Sequence, residues 1–157
     1  MSQILGRYCF SMKRFYIGGL ENPYMIRWYV IPHNRWLNIY LHKFCRDDDD
    51  RALHDHPWWF ISLMLWGSYY ETRPSDFNPL GQVGMRRAGS LAFRRATHRH
   101  RVTLLRDSSD NPIPCWTLVI TGSKKRTWGF WCPKGFVPWY EFVDHTDQGN
   151  VGKGCGE

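Results

Sequence analysis

The feature that most constrains this fold is a succession of short β-forming runs separated by turn residues. The runs are rich in aromatic and β-branched residues and occupy residues 36–44, 59–66, 68–73, 90–95, 98–105, 115–122 and 127–131. Glycine, proline and polar clusters separate them, most clearly at 74–90 and 107–114. This spacing is typical of an all-β sandwich or barrel. Only weak hints of a helical period occur, before residue 35, so we predict an all-β chain.

The size of the chain favours one domain. Its 157 residues suffice for a single compact core, and 43% hydrophobic with 17% aromatic residues excludes a disordered protein. No composition shift marks a linker. We therefore expect an N-terminal extension over residues 1–35 that packs on a barrel, the barrel itself over 36–145, and a flexible C-terminal tail over 146–157.

The cysteines and the hydropathy pattern bear on the cellular environment. The five cysteines are widely spaced, odd in number and contain no CxxC pair. This pattern favours reduced thiols over a disulfide framework. No apolar run approaches the roughly 20 residues of a membrane span, and the first fifteen residues lack the continuous apolar segment of a signal peptide. We expect a cytoplasmic protein that does not contact a membrane.

The charge balance is basic, with 21 Lys and Arg against 14 Asp and Glu, a net charge of +7. Arginines cluster at 86–87, 94–95 and 99–101. Because the guanidinium fork matches carboxylate and phosphate oxygens, these clusters could form an anion site, or they could be a solvated, ion-paired face. No recognition helix, zinc finger or RNP signature is present, so nucleic acid is not the expected partner.

Two His-x-His pairs stand out, His54 with His56 and His98 with His100. On a strand, alternate side chains share a face, so each pair would present two imidazoles on the same side. A third histidine from a neighbouring strand would complete a metal site, and imidazole suits Fe, Zn, Ni, Cu and Mn to differing degrees. The alternative is that these are surface histidines or hydrogen-bonded core histidines.

The spacing of the first pair resembles the first motif of the cupin superfamily, G(X)5HxH(X)3–4E(X)6G, with His54, His56 and Gly67 in their places. The second motif, G(X)5PxG(X)2H(X)3N, is matched from Gly89 to His100. The resemblance covers roughly residues 36–131. The run DDDDRALHDHPWWF, with WTLVITG and TWGFW, is similar to small uncharacterised cupin-like proteins of bacteria and their phages. It implies a double-stranded β-helix, the cupin jelly-roll barrel, with metal ligands His54, His56 and His100 converging inside.

The chain departs from both motifs. Phe60 occupies the glutamate position of the first, while Arg95, Thr97 and Leu104 replace the proline, glycine and asparagine of the second. A three-histidine site without the carboxylate resembles that of the thiol dioxygenases and some ring- and diketone-cleaving dioxygenases. The resemblance therefore implies Fe(II) first, with Zn, Ni or Mn as alternatives, and a dioxygenase-like enzyme.

The degraded second motif supports a different hypothesis. In this hypothesis the chain is a non-redox cupin, either sugar-isomerase-like or purely ligand-binding, without a catalytic metal. Cupins often dimerise through sheet edges or N-terminal strands, so the resemblance also allows a homodimer through residues 1–35. Fold implies function only loosely, and whether the chain is an enzyme stays open at this point.

Two more residues are candidates for catalysis. His98 shares the strand parity of His100 and could be a fourth ligand, a general base or a residue of the rim. Glu71, on the strand after Gly67, could replace the missing carboxylate or act as a base, or it could face solvent on a hairpin. The acidic run at residues 47–50 is expected to be a solvated loop that pairs with neighbouring arginines.

The nine tryptophans suggest an aromatic-lined interior. Trp58 keeps the parity of His54 and His56, although a tryptophan at such a position is often only core filler. An aromatic cavity with arginines would suit a planar, anionic small molecule as substrate. We expect Trp58, Arg95 and Arg86 to contact it.

Overall fold

The computed structural model describes residues 12–48, 52–144 and 150–156. β-Strands dominate: β1 (Arg14–Ile17), β2 (Met25–Tyr29), β3 (Asn38–Phe44), β4 (Leu53–His54), β5 (Phe60–Trp66), β6 (Ser68–Arg73), β7 (Gln82–Arg87), β8 (Leu91–Arg94), β9 (Arg101–Leu104), β10 (Cys115–Thr121), β11 (Gly129–Cys132), β12 (Gly135–Pro138), β13 (Val143–Asp144) and β14 (Asn150–Val151). One short helix, α1 (Trp139–Phe142), follows β12. Within the described residues, no helix has the length and apolar character to cross a membrane.

The strands form two walls. One wall is a six-stranded sheet in the order β1-β2-β3-β10-β5-β8. The other combines the three-stranded sheets β7-β6-β9 and β12-β11-β4, which meet where His54 and His100 exchange two backbone hydrogen bonds of 2.9 Å. Residues of both walls line one cavity. This arrangement confirms the predicted all-β jelly roll, the double-stranded β-helix.

Strict alternation along the central strands explains where the cavity lies. In β3 and β10 every second residue is buried, because side chains alternate between the two faces of a strand. The inward set includes polar residues: Asn38, His42, Thr117 and Thr121. Polar side chains at inward positions are costly in a packed core unless they are hydrogen-bonded. Three of them, His42, Thr117 and Thr121, line the cavity between the two walls.

A hydrophobic core stabilises one end of the barrel. It consists of Met25, Phe44, Met64, Tyr69, Val102, Leu104 and Cys115. Gly67, the last residue of the first cupin-like motif, ends β5 beside this core with a φ of +80°. A Cβ at Gly67 would meet Cys115 Cβ at 2.8 Å. Both the positive φ and the close approach require glycine at this turn.

The N-terminal extension contributes strands rather than helix. β1 pairs with β2, and β2 pairs with β3 along the whole of residues 25–29, so the extension enlarges the six-stranded sheet. The weak helical hints before residue 35 were therefore misleading. Residues 1–11 of the predicted extension lie outside the described residues. The segment 74–90, expected to be loop or irregular strand, contains β7, which pairs with β6 over six residues.

The C-terminal residues bear on two predictions. The described part of the predicted flexible tail is attached, since β14 pairs with β13 and Cys155 forms a disulfide with Cys132 of β11. The expectation of reduced thiols is thus wrong for this pair, whereas Cys45 and Cys115 are free. Sequence spacing cannot show which cysteines meet in space. The cytoplasmic location, which rested on reduced thiols, loses that support.

Candidate metal centre

The structure brings the three predicted ligand histidines together. His54 ends β4, His56 follows two residues later, and His100 immediately precedes β9. One ring nitrogen of each lies within 4.8 Å of the others, and His56 Nε2 lies 2.8 Å from His100 Nε2. Two ligands at right angles, each about 2.0–2.1 Å from a metal ion, would be about 2.9 Å apart. The donor set therefore fits a transition metal held by three imidazoles.

Carboxylates orient two of these rings from behind. Glu71 Oε1 accepts a hydrogen bond from His100 Nδ1 at 3.1 Å, and Asp48 Oδ2 lies 3.5 Å from His54 Nδ1. A proton held on Nδ1 leaves Nε2 with a free lone pair, and such carboxylates also raise the basicity of the ligand. The hydrogen bond to Glu71 thus leaves Nε2 of His100 free to coordinate, and the Asp48 carboxylate attracts a proton to Nδ1 of His54.

Burial keeps the imidazoles of His54 and His56 neutral. Burial lowers the pKa of His54 to about 4, despite the opposing effect of the Asp48 carboxylate. Burial, reinforced by the neighbouring His100 and His54, also lowers the pKa of His56 well below its ordinary value. A metal ion binds the neutral imidazole, so these rings are in the coordinating state at pH 7 without first losing a proton.

Glu71 is a buried ion-pair hub and not a solvent-facing hairpin residue. It is only 3% exposed, and it accepts hydrogen bonds from Arg94 Nε at 3.2 Å and Arg94 Nη2 at 2.7 Å. Burial alone would raise its pKa, but the contacts with His100, His98 and Arg94 outweigh burial and hold the pKa well below its usual range. Glu71 is therefore a carboxylate anion whose place is behind His100.

His98 is one of the residues that contact Glu71. Its Nε2 lies 3.3 Å from Glu71 Oε1, and Glu71, His98 and His100 offer ligand atoms within 4.8 Å of one another. The rings of His54, His56 and His98 all lie near the His100 ring, with centroids 4.8, 5.0 and 5.4 Å away. The roles of fourth ligand, general base and rim residue stay predictions for His98, and its contact in the structure is with the Glu71 carboxylate.

The acidic residues before and within the motif hold the site in place. Asp48 accepts a hydrogen bond from Val102 N at 2.6 Å, so it binds the β9 backbone. Asp47 of the same acidic run pairs with Arg106. Asp55 is fully buried and faces away from the two histidines that flank it. Its carboxylate accepts from Gly129 N at 3.0 Å and pairs with Arg126 Nη1 at 2.6 Å. These contacts fix the His54–His56 segment against β11.

The histidines open onto a cavity of about 280 Å³. Its walls are largely aromatic: Tyr24, Tyr40, Phe44, Trp58, Phe60, Tyr69 and Trp128. Trp58 lines this cavity, where it was predicted to lie. The volume corresponds to about nine water molecules at about 30 Å³ each. The cavity is accordingly suited to a small organic molecule.

Neither of the predicted substrate-binding arginines lines this cavity. Arg95 follows the end of β8 and is exposed, because the inward positions of that strand are Ala92 and Arg94. Arg86 lies on the edge strand β7 opposite Tyr69, and only Tyr69 of that pair reaches the cavity. Contact of Arg95 and Arg86 with a substrate stays a prediction.

Two cavity residues were missed from the sequence, Arg27 and His42. They face each other in register on β2 and β3, and Arg27 Nε donates to His42 Nε2 at 2.9 Å. His42 keeps the inward parity of Asn38 and Tyr40, a signal that could have revealed it. Arg27 lies in the extension, for which no strand was predicted.

Solved structures with similar folds define the class. The chain resembles an RmlC-like cupin from Shewanella frigidimarina, with 14% identity, a TM-score of 0.52 and coverage of 74% of this chain and 87% of that one. It also resembles the polyketide cyclase RemF from Streptomyces resistomycificus, with 14% identity, a TM-score of 0.56 and coverage of 82% and 84%. The chain therefore has the cupin fold.

More particular likenesses include iron enzymes. The hydroxypropylphosphonic acid epoxidase from S. wedmorenis matches at 13% identity with a TM-score of 0.51, over 69% of this chain and 55% of that one. Fe(II) HppE matches at 13% identity with the same TM-score, over 69% and 56%. This chain spans little more than half the length of these two chains. No protein-family profile and no curated protein matches the sequence.

Proposed function

We propose that this chain is a metal-dependent cupin that acts on a small organic molecule, with dioxygenase-like chemistry at an Fe(II) ion. The observation that carries the proposal is the convergence of His54, His56 and His100 within 4.8 Å at the wall of an aromatic cavity. The likeness to the Fe(II) HppE structure supports iron as the first metal to test. Zn, Ni and Mn are the alternatives, since three imidazoles do not select one metal.

The residues of the chain have distinct parts in this proposal. His54, His56 and His100 would hold the ion, which when bound would supply Lewis-acid or redox chemistry. Glu71 and Asp48 keep the Nδ1 protons of two ligands in place. The aromatic walls exclude water and pack against the body of the substrate.

Metal analysis of matched variants tests the proposal. The wild-type protein, purified without chelators, should contain a near-stoichiometric transition metal, and His100→Ala should lose it. His33→Ala, an exposed histidine far along the chain from the motif, should retain it. An oxygen-consumption assay with added iron then separates redox from non-redox chemistry. Full metal content in His100→Ala would contradict the three-histidine centre.

A second candidate is a non-redox cupin, sugar-isomerase-like or purely ligand-binding, that uses no catalytic metal. The specific observation in its favour is the 2.8 Å separation of His56 Nε2 and His100 Nε2, which is also a hydrogen-bonding distance. One proton shared between the rings would satisfy both nitrogens. This candidate predicts that Fe(II), Zn²⁺, Ni²⁺ and Mn²⁺ all fail to bind on titration, the opposite of the first proposal.

A further inference from the structure

The cavity contains a cation without an anionic partner. Arg27 lines the cavity wall opposite the three histidines, and its one hydrogen bond within the described residues runs to His42 Nε2. No carboxylate in residues 12–48, 52–144 or 150–156 pairs with it. Its guanidinium lies over the Tyr40 ring, 4.7 Å from the centroid. A half-buried charge of this kind is costly unless a counter-ion approaches it.

His42 cannot supply the missing charge. It is 6% exposed, and because its Nε2 accepts the hydrogen bond from Arg27, the ring is neutral and carries its proton on Nδ1. The Nη groups of Arg27 make no hydrogen bond to a described residue. They are the free donors of a guanidinium fork, whose geometry matches a carboxylate.

A second unpartnered group lies beside this pair. Thr117 faces His42 in register on β10, as His42 faces Arg27 on β3, so the three side chains form a row across the sheet. Thr117 is 1% exposed and also lines the cavity. Its Oγ1 has no hydrogen-bond partner among the described residues. Buried polar groups are nearly always paired, so this hydroxyl is an unsatisfied polar group at the cavity wall.

We propose that Arg27 and Thr117 form an anion subsite for the carboxylate of a small monocarboxylate, and that the body of this molecule extends toward the three histidines. Facing sheets lie about 10 Å apart, so one small molecule reaches both walls. The row carries a single positive charge, which favours a monoanion. The aromatic walls favour an apolar body. The inference deepens the proposed function, on which it rests for the identity of the opposite wall.

Benzoate is the probe, because it combines a carboxylate with an apolar ring that the cavity can hold. Isothermal titration calorimetry of the full chain would compare benzoate with its neutral isostere benzamide. We expect benzoate to bind at least about tenfold more tightly, since hydrogen bonds between ions exceed those between neutral groups. Arg27→Gln should reduce benzoate affinity at least about tenfold, to the level of benzamide. Arg27→Lys, which keeps the charge but loses the fork, should fall between.

Two further variants make the test specific. Thr117→Val keeps the shape of the side chain and removes the hydroxyl, so it should weaken benzoate binding severalfold without lowering the unfolding midpoint. It also keeps the proposal testable if Arg27→Gln fails to fold. Arg87→Gln, which removes an exposed arginine on β7, is the matched control and should bind benzoate like the wild type.

Three results would overturn the subsite: equal affinity for benzoate and benzamide, unchanged binding in Arg27→Gln and Thr117→Val, or no benzoate binding up to about 10 mM. Tighter binding of methylphosphonate than of benzoate would overturn the choice of a carboxylate. Metal content separates this proposal from the proposed function. Arg27-dependent benzoate binding in protein that takes up no metal would support the subsite and contradict the metal centre. Metal-loaded protein in which Arg27→Gln leaves the benzoate affinity unchanged would support the metal centre and contradict the subsite.

Discussion

The role of Glu71 leads to a sharp prediction, because one carboxylate supports a proposed ligand and an ion pair together. Glu71→Gln keeps the size of the side chain and one carbonyl acceptor but removes the charge that faces His100, His98 and Arg94. Loss of a carboxylate behind a metal-bound histidine typically weakens metal binding by about 10–100-fold, or about 1.4–2.7 kcal/mol. The same change leaves Arg94, 16% exposed, without its partner and should destabilise the fold by up to about 3 kcal/mol.

The two effects can be measured separately. Competition between the protein and a chromogenic chelator gives the affinity for Zn²⁺, and chemical denaturation with and without metal gives stability. Glu141→Gln, on an exposed position of α1, is the matched control. The double variant Glu71→Gln/Arg94→Gln removes the orphaned cation, so it should recover stability but not metal affinity. If Glu71→Gln binds Zn²⁺ within twofold of the wild type, our assignment of Glu71 behind a metal ligand is wrong.

Three further predictions concern pH, redox state and association. Because the pKa of His54 falls to about 4 in the folded protein from 6.5, the unfolded chain binds the extra proton as pH falls through this window. The contribution of His54 alone should lower the stability of metal-free protein by about 3 kcal/mol between pH 6.5 and 4, and denaturation of His54→Gln in EDTA should show a loss smaller by about this amount. Reduction of the Cys132–Cys155 disulfide, whose cysteines are 23 residues apart, should lower the free energy of unfolding by up to about 3 kcal/mol. The stability of a Cys132→Ser variant should not respond to reductant, which would identify this bond as the source. Leu91 and Phe93 of the edge strand β8 are 66% and 58% exposed, so we expect the protein to form a homodimer in sedimentation velocity experiments. Leu91→Ser should weaken this dimer. A wild-type protein that is monomeric at all concentrations would contradict the prediction.

The sequence predicted those parts of the molecule whose signals are local. Residues 36–44 and 115–122 were predicted to be strands, and the structure has β3 and β10 there. β1 and β2 were missed because residues 14–29 mix arginines with aromatic residues and lack a clean period of two. The disulfide was missed because it depends on how β11 and the chain end meet in space.

The sequence likewise predicted the residues of the candidate site that have local signals and missed those that depend on contacts between distant segments. The His-x-His spacing placed His54 and His56 on one short segment, and the second motif added His100. Asp48, in contrast, binds the backbone of Val102 across 54 positions of sequence, and no local pattern encodes such a contact. Arg27 was missed for a similar reason, since its importance comes only from the register that places β2 beside β3.

The backbone bridge between His54 and His100 has a thermodynamic consequence. It is the seam at which two three-stranded sheets become one wall, and the same two residues would share the metal ion. A ligand that binds only the closed seam stabilises it by about 2.7 kcal/mol when present at 100 times its Kd. Hydrogen exchange at the amides of His54 and His100, which donate the bridging bonds, should then slow by about 100-fold. The ion would hold the two three-stranded sheets of this wall together. Local opening of the backbone bridge between His54 and His100 would then release it.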